Sequence, residues 1–155
     1  MASQRNVVLA MDGSNHSMYA FDWYLENIHK AHDHVIIVHC PEYHAVMQAP
    51  MVLADVTAVS EIMAEEEKKI KALLNNFGEK LRSAGIGGKV KSVGGQPGEV
   101  VVRVAEEEGA SLIITGTRGN GTIRRTLMGS VSDFIVHHSH VPVLVCRRKA
   151  HAHEH

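Results

Sequence analysis

The feature that most constrains this chain is a regular alternation of short apolar runs with helix-patterned segments. Residues 6–11 read Asn-Val-Val-Leu-Ala-Met, a short β-branched run that predicts a strand. Asp-Gly-Ser at 12–14 breaks it, and Ser14 or Ser17 is placed to cap a helix carrying Ala20, Trp23, Tyr24 and Ile28 at helical spacing. A second strand spans 34–40 and is stopped by Pro41, after which 41–55 lack periodicity and read as a surface loop or a partly ordered insertion. A long helix then runs to about Ala84, with Val59, Ile62, Met63, Ile70, Leu73, Leu74, Phe77 and Leu81 in one apolar stripe. Its far side offers Glu65–Lys69 and Glu67–Lys71 as i,i+4 pairs, and Gly85 is its stop. A weaker strand at 89–93 leads through a Gly-rich turn to a third helix starting near Pro97 and ended by Gly109. Residues 111–115 form a fourth strand running into Gly116, a loop extends to Gly129, Ser130 opens a fourth helix, and 141–146 form the last strand.

Strands that alternate with helices predict an α/β fold: a single open parallel five-stranded sheet with helices on both faces. The strands are continuous apolar runs, as a sheet covered on both sides requires. Of the 155 residues 45% are hydrophobic but only 5% aromatic, so aliphatic side chains must fill the core. One domain over 1–150 is expected, followed by a His-rich tail, 151–155, too polar to be core. The net charge of −1, without a basic stripe, argues against nucleic acid as a partner. The apolar runs are strand length, which argues against a membrane span. Two cysteines, Cys40 and Cys146, give no disulfide framework, and the N-terminus has no apolar leader; a reducing, cytoplasmic setting is expected.

Ligands of open parallel sheets bind at the carboxyl ends of strands near the switch in strand order. Two loops are so placed: Met11-Asp12-Gly13-Ser14 after the first strand, and Gly116-Thr117-Arg118-Gly119, nine further residues, then Gly129-Ser130 after the fourth. The second has the parts of an anion site. Glycines permit close backbone approach, consecutive N–H groups form a nest, and the loop ends at a helix N-terminus that favours phosphate. Arg118, Arg124 and Arg125 add positive charge. Alternatively, the glycines terminate a strand, and Ser130 with Asp133 forms a capping box that needs no ligand.

The pattern Gly116-x2-Gly119-x9-Gly129-Ser130 resembles the ATP-binding signature of the universal stress protein family. Residues 7–17 resemble that family's first strand and acidic turn, 112–119 its fourth strand, and 128–133 and 141–145 its end. The resemblance implies a Rossmann-like sheet of the adenine nucleotide alpha hydrolase type, ordered 3-2-1-4-5, with ATP (or AMP or ADP) over strands one and four. It implies that Gly116 and Gly119 lie by the ribose and phosphates. Gly129, Ser130 and Val131 would offer backbone and hydroxyl groups to the phosphates. Met11 and Asp12 would lie near the nucleotide, Asp12 also near its metal, and the Val38 backbone would meet adenine. Arg118 is added on charge alone. Asp12 is a candidate magnesium ligand and equally a capping residue.

ATP binding does not imply hydrolysis. The chain has no P-loop lysine and no evident base to activate water, so a nucleotide-dependent regulatory switch is expected rather than an enzyme. A slow ATPase or nucleotidyl transferase, and a nucleotide-free dimerising module, are the alternatives. Pro142 cannot donate to a central ladder, which puts the last strand at the sheet edge. The resemblance implies that this strand pairs across a homodimer through Val141, Val143, Leu144 and Val145. His137, His138 and His140 are transition-metal ligands, a source of pH sensitivity in the dimer, or plain surface residues; His39 reads as a core or site-edge histidine, and both thiols as buried and inert.

Overall fold

The computed structural model describes residues 4–41, 56–117 and 128–147. Among these, strands β1 (Arg5–Ala10), β2 (Asp33–His39), β3 (Gly87–Ser92), β4 (Leu112–Gly116) and β5 (Val143–Cys146) alternate with helices. The helices are α1 (Asn15–Asn27), α2 (Val56–Ser83), α3 (Pro97–Glu107) and α4 (Ser130–His138). The strands form one sheet in the order β3-β2-β1-β4-β5, every pair parallel. The class expected from alternation and the order implied by the resemblance are therefore those of the molecule, and β5 is at an edge.

Strand side chains alternate between the two faces. Val7, Leu9, Val35 and Ile37 pack with Ala20, Phe21 and Tyr24 of α1 and with Phe77 and Leu81 of α2. Val8, Ile36, Val38 and Ile113 pack on the other side with Val100, Val101 and Val104 of α3 and Ile135 of α4. The core is thus two largely aliphatic layers split by the sheet, with the fully buried aromatics Phe21, Tyr24 and Phe77 on one side.

Local chemistry sets the ends of the elements. Ser14 is the cap of α1: its Oγ accepts from Ser17 N–H at 3.2 Å, while Ser17 Oγ donates to Ser14 O at 3.0 Å. Pro97 occupies the first turn of α3, where a missing N–H costs nothing. Gly85 (φ 68°) and Gly109 (φ 60°) supply the left-handed residues that stop α2 and α3. Four local expectations change. β5 begins at Val143 rather than at Val141. β3 begins at Gly87 rather than at Lys89. Glu65 pairs with Lys68, at i,i+3, instead of Lys69. The capping box Ser130–Asp133 does not form, because Gly129 is the cap of α4 and no side chain caps it.

At the amino ends of β1 and β2, Arg5 makes two 2.7 Å bonds to Asp33, whose side chain is 1% exposed. Tyr24 Oη donates to the same carboxylate at 2.6 Å and the Lys30 N–H at 3.1 Å. Burial pushes Asp33 up, but these donors together outweigh it and hold the carboxyl at about 2. Burial and the neighbouring Asp33 carboxylate push the Tyr24 phenol well above its ordinary value.

Candidate functional site

In the sheet order, β1 lies where the chain stops adding strands on one side and starts on the other. The crevice beyond the carboxyl ends of β1 and β4 is the switch point at which such folds take ligands. Four pieces of chain meet around it: the turn after β1, the end of β2, the end of β4 and the start of α4.

Met11 is buried; its N–H donates to Val38 O at 3.0 Å. The Met11 carbonyl lies 3.1 Å from His39 Nδ1, so that ring nitrogen carries the proton and donates. His39 is itself buried and meets the Phe77 ring edge-on, with centroids 6.1 Å apart. It is a site-edge residue that fixes the carbonyl just before the acidic turn. Val38 is buried, and its carbonyl uses one lone pair on Met11.

The turn itself is built by Asp12 and Gly13. Asp12 Oδ1 accepts from Ser14 N–H at 2.8 Å, closing a tight side-chain turn around Gly13, whose φ is 83°. A Cβ on Gly13 would also stand 3.0 Å from the Leu73 side chain of α2. Asp12 is half-buried. No group of three or more His, Cys, Asp or Glu side chains suited to a metal occurs among the described residues, the His137–His140 region included. A single carboxylate does suit magnesium that arrives on phosphates, because that ion keeps few protein ligands.

β4 ends in a clamp. A Cβ built on Gly116 would lie 2.8 Å from His16 O and 3.0 Å from His16 C, so the glycine lets the first turn of α1 lie directly on the strand end. The Gly116 carbonyl accepts from Ser132 Oγ at 2.5 Å and from Thr115 Oγ1 at 3.1 Å. Thr117 O accepts from Gly129 N–H at 2.6 Å, bringing the end of β4 and the start of α4 together. Gly129 N–H is therefore already engaged within the protein. Ser130, Val131 and Ser132 head the helix, where backbone N–H groups have no intrahelical acceptor. Among the described residues no side chain caps the α4 terminus. Asp133, the acidic residue of this turn, leans along the helix to His137 Nε2 at 3.3 Å instead of closing it.

Of the residues singled out from sequence, Met11, Asp12, Val38, Gly116, Gly129, Ser130 and Val131 are brought to this end of the sheet. Arg118, Gly119, Arg124 and Arg125, the 42–55 segment and the 151–155 tail lie outside the described residues. Ser132, Thr115 and Thr117, all buried, were not singled out. Ser132 carried the one available signal: a second hydroxyl two positions after Ser130, inside the first turn.

The two thiols differ. Burial pushes the Cys146 thiol up to about 11, which makes it inert. Cys40 is half-buried rather than buried, and its Sγ donates to Gly95 O at 2.9 Å. They lie on or beside β2 and β5, three strands apart, or about 14 Å at ordinary strand spacing, beyond disulfide reach.

Comparison with known proteins agrees with this geometry. Universal stress protein MJ0577 of Methanocaldococcus jannaschii is 33% identical over 90 residues, an alignment spanning 58% of this chain and 56% of that protein. Its solved structure superposes over 97% of this chain and 100% of that chain, with a TM-score of 0.79 at 24% identity. A universal stress protein family member of Arabidopsis thaliana, solved with AMP bound, superposes over 94% of this chain and 93% of that chain (TM-score 0.68, 22% identity). A universal stress protein solved in complex with cAMP does so over 94% and 98% (TM-score 0.65, 25% identity). The profile of the Universal stress protein family matches residues 4–147, from the start of β1 to the end of β5. With the profile matching nearly the whole chain and the fold shared with solved members, the protein belongs to the universal stress protein family.

Proposed function

We propose that this chain is an adenine-nucleotide-binding regulatory protein whose ligand lies across the carboxyl ends of β1 and β4. The observation that carries the reading is the first turn of α4, uncapped by any described side chain and held against the end of β4. Phosphates would take the N–H groups of Ser130 and Val131 and the Ser130 hydroxyl. The ribose would lie by Gly116, with Arg118 and Gly119 completing the phosphate side. Met11 and the Val38 backbone would border adenine. Asp12 would contribute one oxygen to magnesium carried on the phosphates. Relatives solved with AMP and with cAMP support an adenine nucleotide as the ligand class. ATP is the nucleotide proposed here, with ADP or AMP as its spent forms.

The proposed role is binding, with slow ATP hydrolysis or nucleotidyl transfer as the enzymatic alternative. The purified protein is incubated with ATP and magnesium, and the retained nucleotide is identified by mass spectrometry. Retained ATP supports the switch. Rapid conversion to ADP or AMP supports an enzyme, and no retained nucleotide overturns the reading in favour of a nucleotide-free module.

The proposal includes a homodimer. β5 pairs with β4 on one side only, and Val141, Val143, Leu144 and Val145 are half-buried within one chain. An apolar edge of this kind invites pairing with a second copy. Sedimentation equilibrium at micromolar concentration is expected to give twice the 17.0 kDa chain mass; a single-chain mass would overturn the dimer. A downstream protein partner would read the nucleotide state of this dimer.

A further inference from the structure

The Ser132 side chain is buried, it lies in the first turn of α4, and its hydroxyl does not cap that turn. A serine near a helix start ordinarily turns its oxygen back onto a free backbone N–H. Here Ser132 Oγ donates to Gly116 O at 2.5 Å and stands 3.4 Å from Thr115 Oγ1. Thr115 Oγ1 reaches the same carbonyl at 3.1 Å. The Gly116 carbonyl thus accepts from two side-chain hydroxyls, one on the strand and one on the helix. Two consequences follow. The helix start is tied to the strand end by a bond that runs across the wall of the crevice. The Ser132 hydroxyl is also not spent on the first-turn N–H groups, which no described side chain caps.

We propose that Ser132 is a positioning residue for phosphate: it holds the first turn of α4 at the distance from Gly116 at which its N–H groups converge on an anion. Ser132 touches no ligand itself; it acts through the backbone it anchors. This rests on the nucleotide reading above. Donors fixed before binding need no rearrangement when the ligand arrives, and that preorganisation appears as affinity. The effect is confined to the phosphate end, because neither the β1 turn nor the end of β2 contacts Ser132 through these bonds.

The test is calorimetric titration of the full chain with adenosine, AMP and ATP. Ser132→Ala is expected to weaken AMP and ATP by about fivefold, the factor that one neutral hydrogen bond of about 1 kcal/mol represents. Adenosine affinity should stay within about twofold under the same argument. Ser132→Thr, which keeps the hydroxyl, should restore AMP and ATP binding. Ser132→Cys keeps the volume but is a weak donor, so it should behave like Ser132→Ala even if the alanine variant folds poorly. Equal losses for adenosine and ATP would mark a general packing role and overturn the proposal, as would unchanged ATP affinity in the alanine and cysteine variants. Wild-type protein that binds none of the three ligands would overturn the nucleotide reading first, and this inference with it.

Discussion

Gly116 illustrates how much one position can hide from its sequence. Read as a letter in a spaced-glycine pattern, it suggests an approach to phosphate. In the fold its missing side chain is where the His16 carbonyl sits. Gly116→Ala is therefore expected to destabilise the ligand-free protein by about 1–3 kcal/mol, the range for overpacking against backbone. Urea unfolding without nucleotide measures it; unchanged stability would mean that the glycine serves only the ligand. Ser130 and Ser132 make the complementary point. The sequence offers Ser130 with Asp133 as a capping box, yet Gly129 is the cap and Asp133 leans to His137. Ser132 escaped notice because its partner, Gly116, is 16 residues away, and no local pattern announces such a bond. Asp12 and Ser14 were readable because they bond within their own turn.

Helices and strands show the same division between local and remote causes. α1, α3 and β4 lie within a residue or two of where apolar spacing and Gly, Pro and Ser punctuation put them. β3 starts earlier because Gly87 and Gly88 join it through their backbones, facing His34 and Val35 of β2. Glycine carries no side-chain signal for a strand, so only the neighbour reveals it. Gly88 has a further reason to be glycine: a Cβ there would run into Val35 O. Gly98 plays that part between helices. Its Cβ would stand 2.7 Å from Phe134 Cδ1, so α3 and α4 pack closely through this position. Gly98→Ala should force Phe134 aside and lower the melting temperature, while Phe134→Leu in the same chain should recover part of the loss. A double-mutant cycle by thermal unfolding reads the coupling; additive effects would refute direct contact.

At the scale of the molecule the sheet has two unlike ends. The carboxyl end gathers turns, glycines and a helix terminus that no described side chain caps; the amino end is tied by Arg5, Tyr24 and Lys30 around Asp33. The fold class was legible because it follows from alternation, the sheet order because the family resemblance implies it, and the family match covers the same span. The Asp33 cluster was not, since Arg5 and Asp33 meet only once β1 and β2 pair. Asp33 titrates at about 2 in the fold against 3.8 when unperturbed. A depressed carboxyl stabilises the fold above its unfolded value and loses that contribution as pH falls through its folded one. Acid should therefore remove on the order of 2 kcal/mol between about pH 4 and pH 2. Asp33→Asn should be less stable at pH 7 and should lack that part of the acid limb, as urea midpoints across pH would show; parallel profiles would dismiss the cluster. The bond from Gly129 N–H to Thr117 O has a different consequence, one of evolutionary and engineering latitude. Chain leaves the sheet after β4 and enters α4 through a joint that closes on itself. Loop-closure entropy rises by only about 0.6 kcal/mol per doubling of length. A glycine-serine insertion after Gly121 should therefore leave the ligand-free melting temperature nearly unchanged while abolishing retention of ATP.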